Sequence, residues 1–73
     1  MNGIGWAVQQ LDNGERVCRT GWDSNGMWLE LQRPDDKSKM SLPYVYMMTE
    51  HGQTVPWVCS QTDLLATDWE IAQ

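Results

Sequence analysis

Apolar residues in the first dozen positions recur at helical spacing. Ile4, Ala7, Val8 and Leu11 fall at i, i+3, i+4 and i+7, which predicts one apolar stripe on a helix over residues 3–12. Asn2 is placed to cap its start and Asn13-Gly14 to stop it. From there the period shortens to two. Residues 15–20 form a short strand candidate, and Gly21-Trp22-Asp23-Ser24-Asn25-Gly26 reads as a turn whose Asn-Gly pair supports a hairpin. Met27, Leu29 and Leu31 then alternate with Trp28, Glu30 and Gln32, as a half-buried strand requires. Residues 33–41 carry Pro34, two Asp and two Lys and read as an exposed loop. Tyr44–Met48 is apolar on both faces, which fits a central strand or one whose outer face meets another subunit. After a turn at Glu50-His51-Gly52-Gln53 the chain returns through Thr54-Val55, with Pro56 marking an edge or strand end. Ser60-Gln61-Thr62-Asp63 fits an S-x-x-D capping box ahead of a short helix through Leu64-Leu65-Ala66, and residues 68–71 alternate again as a closing strand. The predicted class is α+β: a small antiparallel sheet with an N-terminal helix and a short C-terminal helix before the last strand, in one domain over residues 1–73.

Size makes this domain depend on help. A chain of 73 residues buries only about 60% of its unfolded surface, and one small core rarely supplies more than about 3–5 kcal/mol. Disulfides, a metal or partner subunits usually supply the difference. Cys18 and Cys59 have no CxxC and only His51 for company, so a zinc site lacks ligands and no metal or other cofactor is expected. The first fourteen residues have no charged-then-apolar leader, so the two cysteines are expected as buried free thiols in a cytoplasmic protein. Oligomerisation is the remaining staple. Five tryptophans and two tyrosines with no phenylalanine point the same way: so small a monomer hardly buries five tryptophans, so some are expected at subunit contacts or in a ligand pocket. A net charge of −5 argues against a nucleic-acid polymer as partner, because such binding rests on clustered Lys and Arg. No apolar run approaches the roughly 20 residues that span a bilayer, and no basic amphipathic helix offers a membrane anchor.

Catalysis finds no footing. His51 lies in an exposed-type turn, no GxSxG, HExxH, Walker or GxGxxG motif is present, and the acidic residues fall on loops or outward strand positions. Ligand binding does find residues. Trp57 stands three residues before the predicted helix start at Ser60, where Ser60, Gln61, Thr62 and Asp63 offer N–H and hydroxyl groups to a phosphate or ribose; the same four residues also make an ordinary helix cap. Trp22 and Asn25 ride a glycine-flanked turn, from which Trp22 reaches a pocket or folds back over its own sheet. Arg19 is one of only five basic residues, and faces either a phosphate or a surface ion pair.

Two of these segments carry a family likeness. Val17-Cys18-Arg19-Thr20-Gly21-Trp22-Asp23-Ser24-Asn25-Gly26-Met27 resembles the pattern V-x-R-x-G-W-[ND]-G-x-x-M, and Leu42-Pro43-Tyr44-Val45-Tyr46-Met47 with Val55-Pro56-Trp57-Val58-Cys59-Ser60-Gln61-Thr62-Asp63-Leu64-Leu65-Ala66-Thr67-Asp68-Trp69-Glu70 resembles L-P-Y-I-Y-M followed by V-P-W-x-A-S-Q-x-D-x-L-A-x-D-W. Both are signatures of the phage and prophage Thoeris anti-defence family of the second type, and the likeness reaches back to Gly5-Trp6-Ala7. The resemblance implies a non-catalytic sponge that assembles as a dimer of dimers in the host bacterial cytoplasm. Its expected ligand is a cyclic ADP-ribose-type signalling nucleotide, held intact so that the defence effector receives no signal. Cyclic di- or oligonucleotides are the alternative ligands, and a host protein the alternative partner. Two departures stand out: the loop at residues 33–41 is shorter than the insert of longer members, and Cys59 replaces the usual alanine.

Overall fold

Helix α1 runs from Ile4 to Asp12 in a computed structural model, which describes residues 1–22 and 26–72. The predicted stripe forms it, with Ala7 and Leu11 buried, but Val8 turns outward. Its N-cap is Gly3 rather than the expected Asn2. Asn2 is committed elsewhere: its N–H donates to the Thr67 carbonyl at 3.0 Å, its carbonyl accepts from Trp69 N–H at 3.1 Å, and its side-chain amide donates to the Trp69 carbonyl at 3.2 Å. A side chain holding the far end of the chain cannot also cap the helix. At the other end Asn13 is the C-cap and Gly14 takes φ +91°, a left-handed conformation that glycine adopts without the Cβ penalty. The expected stop at Asn13-Gly14 is therefore met.

Five strands follow: β1 Val17–Arg19, β2 Trp28–Gln32, β3 Tyr44–Met48, β4 Thr54–Pro56 and β5 Trp69–Ile71, with the four-residue helix α2 Gln61–Leu64 before β5. The sheet order is β4-β3-β2-β1-β5, and every neighbouring pair is antiparallel, as the α+β reading expects. Pro56 does lie on an edge strand. Helix α2 starts at Gln61 behind the expected Ser60 cap, but it ends at Leu64, with Leu65 as its C-cap, short of the expected Ala66.

The register sorts side chains onto two faces. Val17 lies opposite both Leu29 and Ile71, Leu29 opposite Met47, and Leu31 opposite Val45, so these share the face that α1 covers. Ala7, Leu11, Val17, Leu29 and Trp69 form the buried core. Arg19 lies opposite Trp69 and therefore belongs to that face as well. The other face carries Trp28, Glu30, Tyr44 and Tyr46, with the Arg16 guanidinium 4.1 Å from the Trp28 ring centroid. Of the five tryptophans only Trp69 is buried; Trp6, Trp22, Trp28 and Trp57 are each half-buried. Apolar groups also remain outside, including Val58 at 85% and Leu65 at 75% exposure.

Candidate functional site

Trp69 is the point where the two signature segments meet. Its ring is buried and takes Trp22 edge-on at 5.5 Å between centroids and Trp57 edge-on at 6.0 Å, an arrangement in which the positive edge of one ring meets the negative face of another. Trp22 belongs to the turn after β1, the strand next to the β5 edge, and Trp57 to the link after β4, the opposite edge strand. Trp69 Nε1 donates to the Asp63 carbonyl at 3.2 Å, which ties α2 to the same ring. One subunit thus gathers both segments.

Arg19 links them a second time. Its Nε donates to Asp68 Oδ1 at 2.8 Å and its Nη1 to Asp63 Oδ1 at 2.8 Å, with a longer bond of 3.4 Å from Nη2 to Asp68 Oδ2. The Arg19 side chain is only 17% exposed and that of Asp63 14%, so these pairs are shielded more than a surface ion pair would be. Hydrogen bonding to Asp68 first, and then to Asp63, raises the Arg19 pKa above its ordinary value. Arg19 in turn, followed by the Gly21 N–H, holds the Asp68 carboxyl below the usual carboxylate range against the opposing effect of desolvation. One guanidinium between two carboxylates leaves a formal charge of −1 on the trio. Two of the five guanidinium N–H groups are left over by these three hydrogen bonds.

Ser60 is the N-cap of α2, its Oγ accepting from Asp63 N–H at 3.1 Å. The capping box is completed only on that side, because the Asp63 carboxylate turns to Arg19. Gln61 and Thr62 are exposed on the first turn of α2. Asn25 lies outside the described residues. A cleft of about 280 Å³ opens beside Trp22, with Arg19, Thr20, Trp28 and Glu70 among its walls; neither Trp57 nor any α2 residue lines it.

Two residues of this cluster escaped sequence reasoning. Asp68 reads as a strand residue and Trp69 as one tryptophan among five, and nothing local reports that Asp68 has a partner 49 positions away. The one available signal is the adjacency of an acid to a tryptophan inside a signature segment. Both thiols are free, as expected, but neither is fully buried: Cys18 is half-buried, and Cys59, on the link between β4 and α2 and outside the core cluster, is exposed. Burial, then the Glu70 and Asp68 charges, push the Cys18 thiol pKa up. On the open sheet face Tyr46 donates to a Glu30 carboxylate oxygen, and burial together with that bond pushes its pKa up to about 12. His51 is exposed beside Glu50. Among the described residues no group of three or more His, Cys, Asp or Glu could hold a metal ion, and no helix is long and apolar enough to cross a membrane.

Comparison with known proteins places these features in context. A family described as the Thoeris anti-defense 2-like domain matches residues 2–72. A protein of Bacillus phage SP01 named Thoeris anti-defense 2 is 31% identical over 81 residues, a match covering 93% of this chain and 91% of the relative.

Proposed function

Because this chain belongs to the Thoeris anti-defense 2-like family, we propose that it serves a phage against Thoeris defence by binding a cyclic ADP-ribose-type signalling nucleotide in the host cytoplasm and holding it without cleavage. Membership supports the anti-Thoeris role. The observation that carries the binding reading is the convergence of Trp22, Trp57, Arg19 and the α2 cap on one ring, Trp69. An aromatic face suits a purine, and stacking of a base is worth about 1–3 kcal/mol by alanine substitution. In this reading Trp22 or Trp57 stacks on the base and Arg19 turns its two remaining donors to the diphosphate. Ser60, Gln61, Thr62, Asp63 and Asn25 meet phosphate or ribose.

The complete pocket is proposed to lie between two protomers of a dimer of dimers. The Trp22 cleft, at about 280 Å³, lies at the lower limit of the roughly 300–1,000 Å³ of small-molecule pockets, and neither Trp57 nor α2 forms part of its wall. A second copy would supply the missing wall and cover exposed apolar groups such as Val58 and Leu65. Sedimentation at micromolar concentration tests the assembly: a tetramer is expected, and a stable monomer contradicts it. No turnover accompanies binding in this account, since the trio commits its carboxylates to a cation and offers no free base.

A thermal-shift screen against cyclic ADP-ribose isomers and cyclic dinucleotides tests the function. Ligand at 100 times its Kd stabilises by about 2.7 kcal/mol, which for a domain of this size raises Tm by roughly 10–20 °C. Stabilisation by an ADP-ribose-type ligand is the expected result. Indifference to every nucleotide sinks the proposal, and a response to cyclic dinucleotides alone replaces the ligand class.

A further inference from the structure

We infer that Asp68 is the positioning residue of this site, acting through Arg19, Thr20 and Gly21 to fix the turn that presents Trp22. The inference deepens the nucleotide-binding reading above and rests on it for its functional meaning. Asp68 holds three consecutive residues on the approach to Trp22. Its Oδ1 accepts from Arg19 Nε at 2.8 Å, its carbonyl accepts from Thr20 N–H at 3.0 Å, and its Oδ2 accepts from Gly21 N–H at 2.8 Å, while the Thr20 hydroxyl donates to Glu70 Oε2 at 2.6 Å. Trp22 N–H then donates to the Arg19 carbonyl at 3.0 Å, so the tryptophan backbone hangs from a residue that Asp68 already grips.

Gly21 bears the mark of this grip. A Cβ at position 21 would stand 3.0 Å from Asp68 Oδ2 and 3.3 Å from Arg19 Nη2, closer than side-chain carbons ordinarily approach. A side chain here obliges the Asp68 carboxylate or the Arg19 guanidinium to give way by a few tenths of an ångström. Both carboxylate oxygens are engaged: Oδ1 accepts from the guanidinium at 2.8 Å, and Oδ2 accepts from the Gly21 amide at 2.8 Å with a longer guanidinium bond at 3.4 Å. An asparagine can supply only one acceptor oxygen and must turn its NH₂ against the other donor. Asp68→Asn therefore breaks one arm at nearly unchanged size, and Gly21→Ala crowds the same junction from the opposite side.

A half-buried tryptophan released from such a turn must be ordered again when ligand binds, so affinity falls through the cost of ordering while the stacking ring itself is still present. The loss expected for either variant is roughly 3- to 10-fold in Kd. The edge-on Trp22–Trp69 pair gives a second readout that needs no ligand, because coupled indoles 5.5 Å apart contribute to the near-ultraviolet circular dichroism of the free protein.

The experiment compares wild type, Asp68→Asn, Gly21→Ala and Trp22→Ala at a temperature where far-ultraviolet spectra show each one folded. Arg33→Ala, which removes a remote ion pair to Asp12, is the control. Asp68→Asn and Gly21→Ala are expected to move the near-ultraviolet spectrum toward that of Trp22→Ala and to bind cyclic ADP-ribose roughly 3- to 10-fold more weakly, with Arg33→Ala unchanged in both. Should Asp68→Asn fail to fold, Gly21→Ala carries the comparison alone. A wild-type near-ultraviolet spectrum in the folded variants overturns the positioning role, even if their melting falls. Failure of wild type to bind cyclic ADP-ribose counts against the proposed ligand, while the spectra still decide the role of Asp68.

Discussion

Replacing Trp57 by alanine separates the two things this side chain is proposed to do. Within the subunit it packs edge-on against Trp69 and is half-buried. Such an aromatic pair is worth about 0.5–1.5 kcal/mol beyond its area. The surface this side chain hides from water, about 150 Å², adds roughly 4 kcal/mol at 25 cal/mol per Å². The total, about 4–5 kcal/mol, is a large part of the roughly 4–11 kcal/mol expected of 73 residues. Trp57→Ala should therefore melt well below wild type. Loss of a stacked base costs a further 1–3 kcal/mol in binding, or roughly 5- to 150-fold in Kd. The melt of each variant is recorded beside its affinity, because a residual stability of about 2 kcal/mol, which keeps about 97% of molecules folded, is needed before the affinity reads binding alone. Titration calorimetry with a cyclic ADP-ribose isomer at about 10 °C, near the usual stability maximum, reads the affinity, and Trp57→Phe, which keeps a ring, should recover most of it. Unchanged affinity in both Trp57→Ala and Trp22→Ala refutes the reasoning and moves the search to Trp28, Tyr44 and Tyr46 on the open sheet face.

Ser60→Ala removes the only side-chain cap of α2 and should cost about 1 kcal/mol, or about 4–8 °C in Tm by calorimetry; an unchanged melt would show the cap to be idle. Acid should separate wild type from Asp68→Asn in a defined direction. The Asp68 pKa is depressed in the folded state, so its stabilisation is present above the unfolded value of about 3.9 and is lost as pH falls through the folded one. Asp63 shares the same guanidinium and is present in both proteins, so the comparison is made at position 68 alone. The Tm gap between the two should be widest near neutrality and close below about pH 4; a gap that ignores pH contradicts the ion pair. His51→Ala and chelator treatment should each leave melting and nucleotide affinity as they are in wild type, because His51 is exposed and outside the Trp69 cluster; a loss specific to either would mean that unrecognised chemistry operates here.

Local pattern carried the elements further than it carried their junctions. The spacing of Ile4, Ala7 and Leu11 announced α1, and the alternation of Leu29 and Leu31 against Trp28 and Glu30 announced both β2 and its facing, because side-chain period follows backbone geometry within one element. Pro56 announced an edge. Asn2 shows where such reasoning stops: a residue that suits a cap by type is taken by β5, 67 positions away, and Gly3 caps by default. Asp63 repeats the lesson, its carboxylate drawn from the capping box by Arg19, 44 positions distant. Among the candidate site residues, Trp22 and Trp57 were legible as unusual aromatics on short links, and Arg19 as a scarce cation in an acidic chain. Their meeting on Trp69 was not, since it depends on β1 and β5 pairing across the whole sequence.

Capture followed by release tests the central claim most directly. The protein is mixed with a slight excess of a cyclic ADP-ribose isomer that shifts its melt, freed of unbound nucleotide by gel filtration, and denatured by heat, and the released small molecule is identified by mass spectrometry. The account predicts the same nucleotide at unchanged mass, in fixed proportion to protein, however long the incubation. A hydrolysed product accumulating with time, or a protein that leaves the column empty, would contradict it.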